Sequence, residues 1–293
     1  MVRLTANILF SGIGCQERGI RDTGLFDLDV IATSEIDTDA VISYAAVHCG
    51  MTQEMADAYE YPPLEDMRRF LTHINLGYSP ETDKRYNWFR NGKKNEDRVK
   101  KAWLACKLSN NLGDIRGIKR LDYADLWTLS SPCQSISLAG KLRGLDPDDN
   151  TRSSLLWQNI RLLKEAVDEG IPPKYIFMEN VKNLVGKRFI GDFEAFCGLM
   201  DDLGYNTYWA VINARDCGVP QNRERVFALF IRKDIDTGNL VFPKPFDNGL
   251  RLKDVLEEHV DEKYYLKADK AQKLIDQLIC DGVIGNENTQ KDS

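Results

Sequence analysis

The chain has 293 residues, 43% hydrophobic and 29% charged, a length of one large domain or two small ones and a composition that excludes fibrous and disordered classes. No apolar run approaches the ~20 residues of a bilayer-crossing helix, and the start lacks the apolar core and cleavage site of a signal peptide, so a cytoplasmic protein is expected. A net charge of −6 argues against coating nucleic acid by bulk electrostatics but leaves room for a local basic groove.

Short β-rich runs alternate with helix-period segments, the pattern of a doubly wound α/β domain with a mostly parallel sheet. In chain order the expected elements are a strand at Asn7 to Phe10, a helix at Cys15 to Asp22, a strand at Leu28 to Thr33 and a helix at Asp37 to Val47. A stretch from 48 to 112 breaks the alternation and reads as an insertion. The pattern resumes with a strand at Leu126 to Leu129, a helix at Ser153 to Asp168, a strand at Tyr175 to Met178, a helix at Phe189 to Leu203 and strands at Tyr208 to Ile212 and Val226 to Ile231. It stops again after Phe242, leaving a tail with two expected helices, Leu252 to His259 and Leu266 to Cys280, and a polar end. Residues 1–242 are thus expected to form the main domain and 243–293 a separate short region. In such sheets ligands bind beyond the carboxyl ends of the strands, so those ends are where functional residues are sought.

The first strand runs into Phe10, Gly12 and Gly14, and Glu35 closes the second. Glycines at a strand-to-helix turn let backbone approach a ligand, and an acid ending the next strand can accept both hydrogen bonds of a ribose diol. The third glycine of a dinucleotide fingerprint would fall at Glu17, which favours a nucleoside without a pyrophosphate. A plain turn beside a solvated Glu35 is the competing explanation. Asp114, in Gly113-Asp114-Ile115, is a further acid at the same edge, or a helix cap.

The strand at Leu126 runs through Ser131 into Pro132-Cys133-Gln134, a loop position suited to a nucleophile. The other cysteines, of seven in all, are scattered with no CxxC pair, which excludes a zinc site or disulfide framework. Another strand ends at Glu179-Asn180-Val181, and strands that end in Cys and in Glu can bring a nucleophile and a carboxyl able to protonate a reacting ring to one edge of the sheet; a salt-bridged surface residue is the competing explanation for Glu179. Gln221, Arg223 and Arg225 precede the last strand. Arginines two apart on extended backbone share a face and can bind a pyrimidine carbonyl, a phosphate or a carboxylate, or else pair structurally with Glu224 or Asp216. Residues 84–101 hold eight Lys and Arg against two acids, interleaved with Tyr86, Trp88 and Phe89. The segment is either a nucleic-acid contact or a solvated loop anchored by its aromatics. Asp146, Asp148 and Asn150 do not make a calcium loop, because Thr151 and Trp157 stand where glycine and glutamate are required. The three histidines have no ligand spacing, and no GxSxG elbow is present.

The order and content of these motifs resemble the cytosine-5 DNA methyltransferase family. Phe10-Ser-Gly12-Ile-Gly14 is similar to its cofactor loop, Ser34-Glu35-Ile36-Asp37 to its ribose-binding segment and Gly113-Asp114-Ile115 to its adenine-binding strand end. Ser131-Pro132-Cys133-Gln134, with Ser137 and Gly140, resembles the nucleophile loop. Arg152, Ser154 and Leu155 resemble the end of the loop that closes over a flipped base, and Glu179-Asn180-Val181 and Gln221-x-Arg223-x-Arg225 the remaining catalytic signatures. Ser130 and Ile136 depart from the usual glycine and phenylalanine, and Gly285-Asn286 is too poor a match to the family's terminal motif to count. The resemblance implies a sheet of the S-adenosylmethionine-dependent methyltransferase type. It makes S-adenosylmethionine the cofactor, held by Phe10, Gly12, Gly14, Glu35, Ile36, Asp114 and Ile115, and DNA the partner. Cys133, Glu179, Arg225 and Arg223 are the implied catalytic residues, with no metal. It also makes 243–293 the truncated start of a target-recognition region and a complementing C-terminal chain an expected partner. An RNA cytosine methyltransferase, an inactive binding fragment and one half of a split enzyme stay open beside it.

Overall fold

The computed structural model describes residues 1–79, 82–130 and 154–283. Strands β1 (Val2–Leu9), β2 (Phe26–Ser34), β5 (Leu126–Leu129), β6 (Tyr175–Val181), β7 (Tyr205–Asn213) and β8 (Glu224–Arg232) form one sheet, in the order β2-β1-β5-β6-β8-β7. Helices α1 (Cys15–Asp22), α2 (Thr38–His48), α6 (Ser154–Asp168) and α7 (Ile190–Asp202) fill the connections. The strands and helices expected within 1–242 are present, and every strand except β5 runs longer than the apolar run that marked it. Their polar ends still find ladder partners.

β2, β1, β5 and β6 are parallel neighbours, whereas β8 runs antiparallel to both β6 and β7. The reversal follows from connection length: the chain between β7 and β8 is a tight turn and a short loop, too short for the helical crossover that parallel pairing needs. Apolar side chains alternate along β1. Leu4, Ala6 and Ile8 enter one core with Leu28 and Leu126, while Leu9 joins Trp127, Leu129, Ile160, Met178 and Phe230 in the other. Burial on both faces is what a doubly wound sheet requires.

The 48–112 stretch, expected as an insertion, carries α3 (Gln53–Ala58), α4 (Leu64–His73), the two-residue strands β3 (Tyr78–Ser79) and β4 (Lys84–Arg85), and α5 (Lys93–Leu108). It packs on α2 around its own core of Val41, Met67, Leu71, Trp88, Val99 and Ala102. Trp88 is the anchor of the basic segment, buried with its indole N–H donating to the Leu76 carbonyl at 2.9 Å. The charged face of α5 points to solvent, with Lys93, Lys94 and Lys100 exposed.

Beyond β8 the chain is mostly exposed. The helix expected at Leu252 to His259 is only a 3-10 turn, Leu252–Val255, because a single turn gains too little without a surface to pack on. α8 (Ala268–Cys280) forms but buries none of its residues. Among the described residues no helix is long and apolar enough to cross a membrane, and no cluster of side chains is suited to a metal ion.

Candidate active site

The strand register builds the site. Ser34, Leu9, Leu129 and Met178 are successive partners across the four parallel strands. The next residues on each strand, Glu35, Phe10, Ser130 and Glu179, therefore lie side by side at the carboxyl edge. Four segments far apart in sequence meet there because parallel strands all present the same end to the same side.

At the β1–β2 end, Phe10 and Gly12 adopt positive φ, 57° and 52°. At Phe10 this is a left-handed strain of about 1–2 kcal/mol, sustained by the surrounding contacts. A Cβ added at Gly12 would meet nothing within 4 Å, so the loop backbone borders open space. Glu35 faces this loop. Its Oε2 accepts from the Gly12 N–H at 2.9 Å, and its Oε1 accepts from Ile36 and Asp37 at 2.7 and 2.8 Å. Three donors on a carboxylate with about four lone-pair sites leave one for a ligand hydroxyl. An open glycine loop beside an incompletely used carboxylate fits a nucleoside, and Glu35 is no loosely solvated surface residue. Asp37 caps α2 through Asp39 and Ala40 N–H groups.

Asn111, which sequence reasoning passed over, fixes this corner: its side chain accepts from Glu35 N–H at 2.9 Å and donates to the Glu35 carbonyl at 3.0 Å. The only signal for it was position, two residues ahead of Gly113. Gly113, at φ 76°, packs so tightly that a Cβ would sit 2.1 Å from the Ile74 carbonyl oxygen. Asp114 is buried and engaged by Arg116, bidentate with a closest approach of 2.6 Å, and by Asn75 Nδ2 at 2.6 Å. These partners outweigh its desolvation and hold its carboxyl below the usual range. The Asp114 carboxylate is therefore more fully used than a free ligand acceptor, and it caps a turn through the Arg116 N–H. Ile115 belongs to the main core, 2% exposed, with its side chain turned from the solvent edge. Ile36 lies at the edge, its carbonyl accepting from Gly77 of the insertion at 2.7 Å.

Cys133, with Ser137, Gly140, Arg152 and the decoy acids Asp146 and Asp148, lies outside the described residues. Ser130, three positions before it, is tied to α1 by the Gln16 amide, which donates to the Ser130 hydroxyl. Glu179 pairs with Arg225, Oε1 to Nε, at 3.0 Å, both side chains about one-quarter exposed. Arg225 thus takes neither partner considered from sequence, since Glu224 pairs with Lys182 at 2.8 Å and Asp216 with Arg215 at 3.2 Å. Arg223 is exposed; its backbone N–H donates to Asn213 Oδ1 at 3.0 Å, and among the described residues no ion pair involves its side chain. It lines an open cleft with Lys182, Asn183 and Gln221. Asn213 was also missed; it anchors the arginine loop by donating to Asn222 at 2.7 Å.

A mostly parallel sheet with a glycine loop and an acid on its first two strand ends, closed by an antiparallel pair, is the S-adenosylmethionine-dependent methyltransferase fold. Dnmt2 structures from Spodoptera frugiperda and S. pombe share it, with TM-scores of 0.54 and 0.52 over 96% and 94% of this chain and 66% of each of theirs, at 20% and 17% identity. The model for C-5 cytosine-specific DNA methylase matches residues 91–279. The type II methyltransferase M2.ScrFI of Lactococcus lactis subsp. cremoris is 38% identical over 262 residues, covering 88% of this chain and 69% of that protein. The orphan methyltransferase M.SssI of Spiroplasma monobiae is 29% identical over 259 residues, covering 87% and 65%. The chain belongs to the C-5 cytosine-specific DNA methylase family, and it spans about two thirds of the length of these two relatives.

Proposed function

We propose that this chain transfers a methyl group from S-adenosylmethionine to carbon 5 of cytosine in DNA, with Cys133 as the nucleophile. What supports it above all is the line of strand ends, along which the Glu35 and Gly12 corner, Ser130 and the Glu179–Arg225 pair stand at one carboxyl edge, with Cys133 three residues after Ser130 in the sequence.

Carbon 5 of cytosine is a poor nucleophile. The Cys133 thiolate forms a bond to carbon 6 while Glu179 supplies a proton or hydrogen bond at ring nitrogen 3, so that electron density moves to carbon 5. Arg225 holds the ring carbonyl and Arg223 supports the loop. S-adenosylmethionine, when bound, would supply the methyl group and leave as S-adenosylhomocysteine; Phe10, Gly12, Gly14, Glu35, Ile36, Asp114 and Ile115 would hold it, the last two chiefly through the backbone and the shape of the corner. Loss of the carbon 5 proton to water, with return of the ring nitrogen 3 proton to Glu179, then reforms the ring double bond, breaks the sulfur–carbon 6 bond and frees Cys133. The base reaches this edge only when flipped from the duplex, at a cost of a few kcal/mol.

Residues 1–242 form the catalytic and cofactor-binding part in this reading, with 48–112 inserted, and 243–293 begin the target-recognition region. A complementing C-terminal polypeptide is a proposed partner: Leu252, Leu256, Tyr264 and Leu266 are all more than half exposed, a density of bare apolar side chains that favours burial against another surface. Methyl transfer stimulated by the C-terminal third of the Lactococcus lactis relative, added as a separate chain, supports that partner; no complex at micromolar concentrations sinks it.

Duplex DNA carrying 5-fluorocytosine tests the chemistry, because fluorine blocks the loss from carbon 5. A denaturation-resistant adduct with the wild-type chain and cofactor is expected, and none with Cys133→Ser. Equal adduct from both variants overturns the assignment.

A further inference from the structure

We infer that Glu17, Tyr44 and His48 form a buried brace that positions the cofactor loop from behind, with His48 raising cofactor affinity through its contact to the Ile13 carbonyl. The affinity half rests on the proposal that this loop binds S-adenosylmethionine.

Glu17 stands where a dinucleotide fingerprint has its third glycine, the residue that allows close helix packing. It is 1% exposed, and a carboxylate so buried needs partners. Arg21, one turn along α1, donates from Nε to Oε1 at 2.7 Å; the Tyr44 hydroxyl donates to Oε2; and His48 Nδ1 lies 3.5 Å from Oε1. Burial and the Glu17 charge push the Tyr44 hydroxyl far above its ordinary value, so it remains an O–H donor. Tyr44 and His48 are four apart on α2 and share a face, ring centroids 4.7 Å apart.

These two rings occupy the space that a side chain at Gly14 would fill. A Cβ there would lie 2.2 Å from His48 Nε2 and 3.0 Å from Tyr44 Cδ2. Gly14 thus has two reasons to be glycine, its φ of 85° and these rings. Beyond the packing, His48 Nε2 lies 3.2 Å from the Ile13 carbonyl oxygen. The imidazole spans the distance from the buried carboxylate to the loop backbone, one nitrogen toward each. The loop is closed on itself by Gly14 N–H to Ser11 carbonyl at 2.8 Å, and the Gly12 N–H of that same Ser11–Gly12 peptide donates to Glu35. A loop fixed at Ile13 presents Gly12 and Glu35 in one arrangement, so a ligand need not select it from several. None of the three brace residues lies on the strand-end line, so their effect reaches the ligand through the loop.

The experiment combines calorimetric titration of S-adenosylhomocysteine, thermal melting and amide hydrogen exchange of residues 11–14, for the wild type, His48→Ala, His48→Gln and Tyr44→Phe. His48→Ala is expected to weaken binding about five- to tenfold, the worth of one hydrogen bond, and to speed exchange in residues 11–14 without cofactor. His48→Gln, whose side-chain amide replaces Nε2, is expected to recover most of the affinity at a melting temperature like that of His48→Ala, which separates positioning from bulk stability. If His48→Ala melts below the assay temperature, Tyr44→Phe, with one oxygen removed, makes the same comparison. Binding within twofold of wild type and unchanged exchange in His48→Ala, or in Tyr44→Phe where His48→Ala does not stay folded, overturn the inference. No binding by the wild type overturns the cofactor reading and the affinity claim with it, while the exchange rates still decide the brace.

Discussion

The Glu179 carboxylate and the Arg225 guanidinium meet at 3.0 Å across the β6–β8 pair, where the sheet reverses direction. Glu179 is opposite Phe227 and Arg225 opposite Val181, so the two are diagonal neighbours on one face, within reach for long side chains. An antiparallel neighbour is what allows a residue at the start of β8 to stand beside one near the end of β6; a parallel β8 would have carried Arg225 to the opposite edge of the sheet.

Breaking this pair is expected to affect chemistry more than binding. Glu179→Gln keeps the shape and removes the proposed proton donor, so single-turnover methyl transfer should fall about 10²- to 10⁴-fold, with cofactor affinity within twofold of wild type by calorimetry. Equal losses of affinity and rate would instead make Glu179 a structural residue of the corner.

At the opposite end of the sheet, Asp125 accepts from the Thr5 N–H and hydroxyl at 3.1 and 2.9 Å and pairs with Lys174 at 2.8 Å. Although burial opposes it, these partners hold the carboxyl far below its ordinary value. A depressed folded-state value adds stability that is complete above the unfolded carboxylate value of about 3.9 and disappears as pH falls through the folded one. Urea denaturation of Asp125→Asn should show a loss of about 1–2 kcal/mol at pH 7, shrinking steadily below pH 4. A gap that stays undiminished between pH 5 and pH 2 would place the effect in packing.

Thiol reactivity should sort the cysteines by environment. Burial pushes Cys106 up to about 12 and Cys197 up to about 11, whereas Cys15 and Cys280 are exposed. With an alkylating reagent at pH 8 and peptide mapping, Cys15 and Cys280 are expected to be labelled in the native protein, and Cys106 only after unfolding. Rapid native labelling of Cys106 would mean that α5 opens readily.

The exposed lysines of α5 test whether the insertion touches DNA. Replacing Lys93, Lys94 and Lys100 by glutamine should reduce the salt slope of DNA binding by up to about one for each phosphate that these side chains neutralise. An unchanged slope makes this helix a solvated face, with Trp88 as its anchor.

Within residues 1–47 and 113–242, element type, strand order in sequence and the candidate motifs were legible in the chain, because hydrophobic period and strand-end punctuation are local properties; the helices and short strands of 48–112 were not marked by them. Cys15 to Asp22 and Leu126 to Leu129 were placed to the residue. The antiparallel β8, the second core on α2 and the failure of the helix at Leu252 were decided by tertiary structure, since each depends on what surface lies opposite. The same holds within the site. Sequence marked Glu35, Asp114, Glu179 and Arg225 by type and position, but which acid keeps a lone pair and which arginine meets which carboxylate were fixed by register. Asn111 and the Glu17 brace were invisible for the same reason: a buried polar side chain is defined by partners far along the chain, brought within hydrogen-bonding distance only by folding.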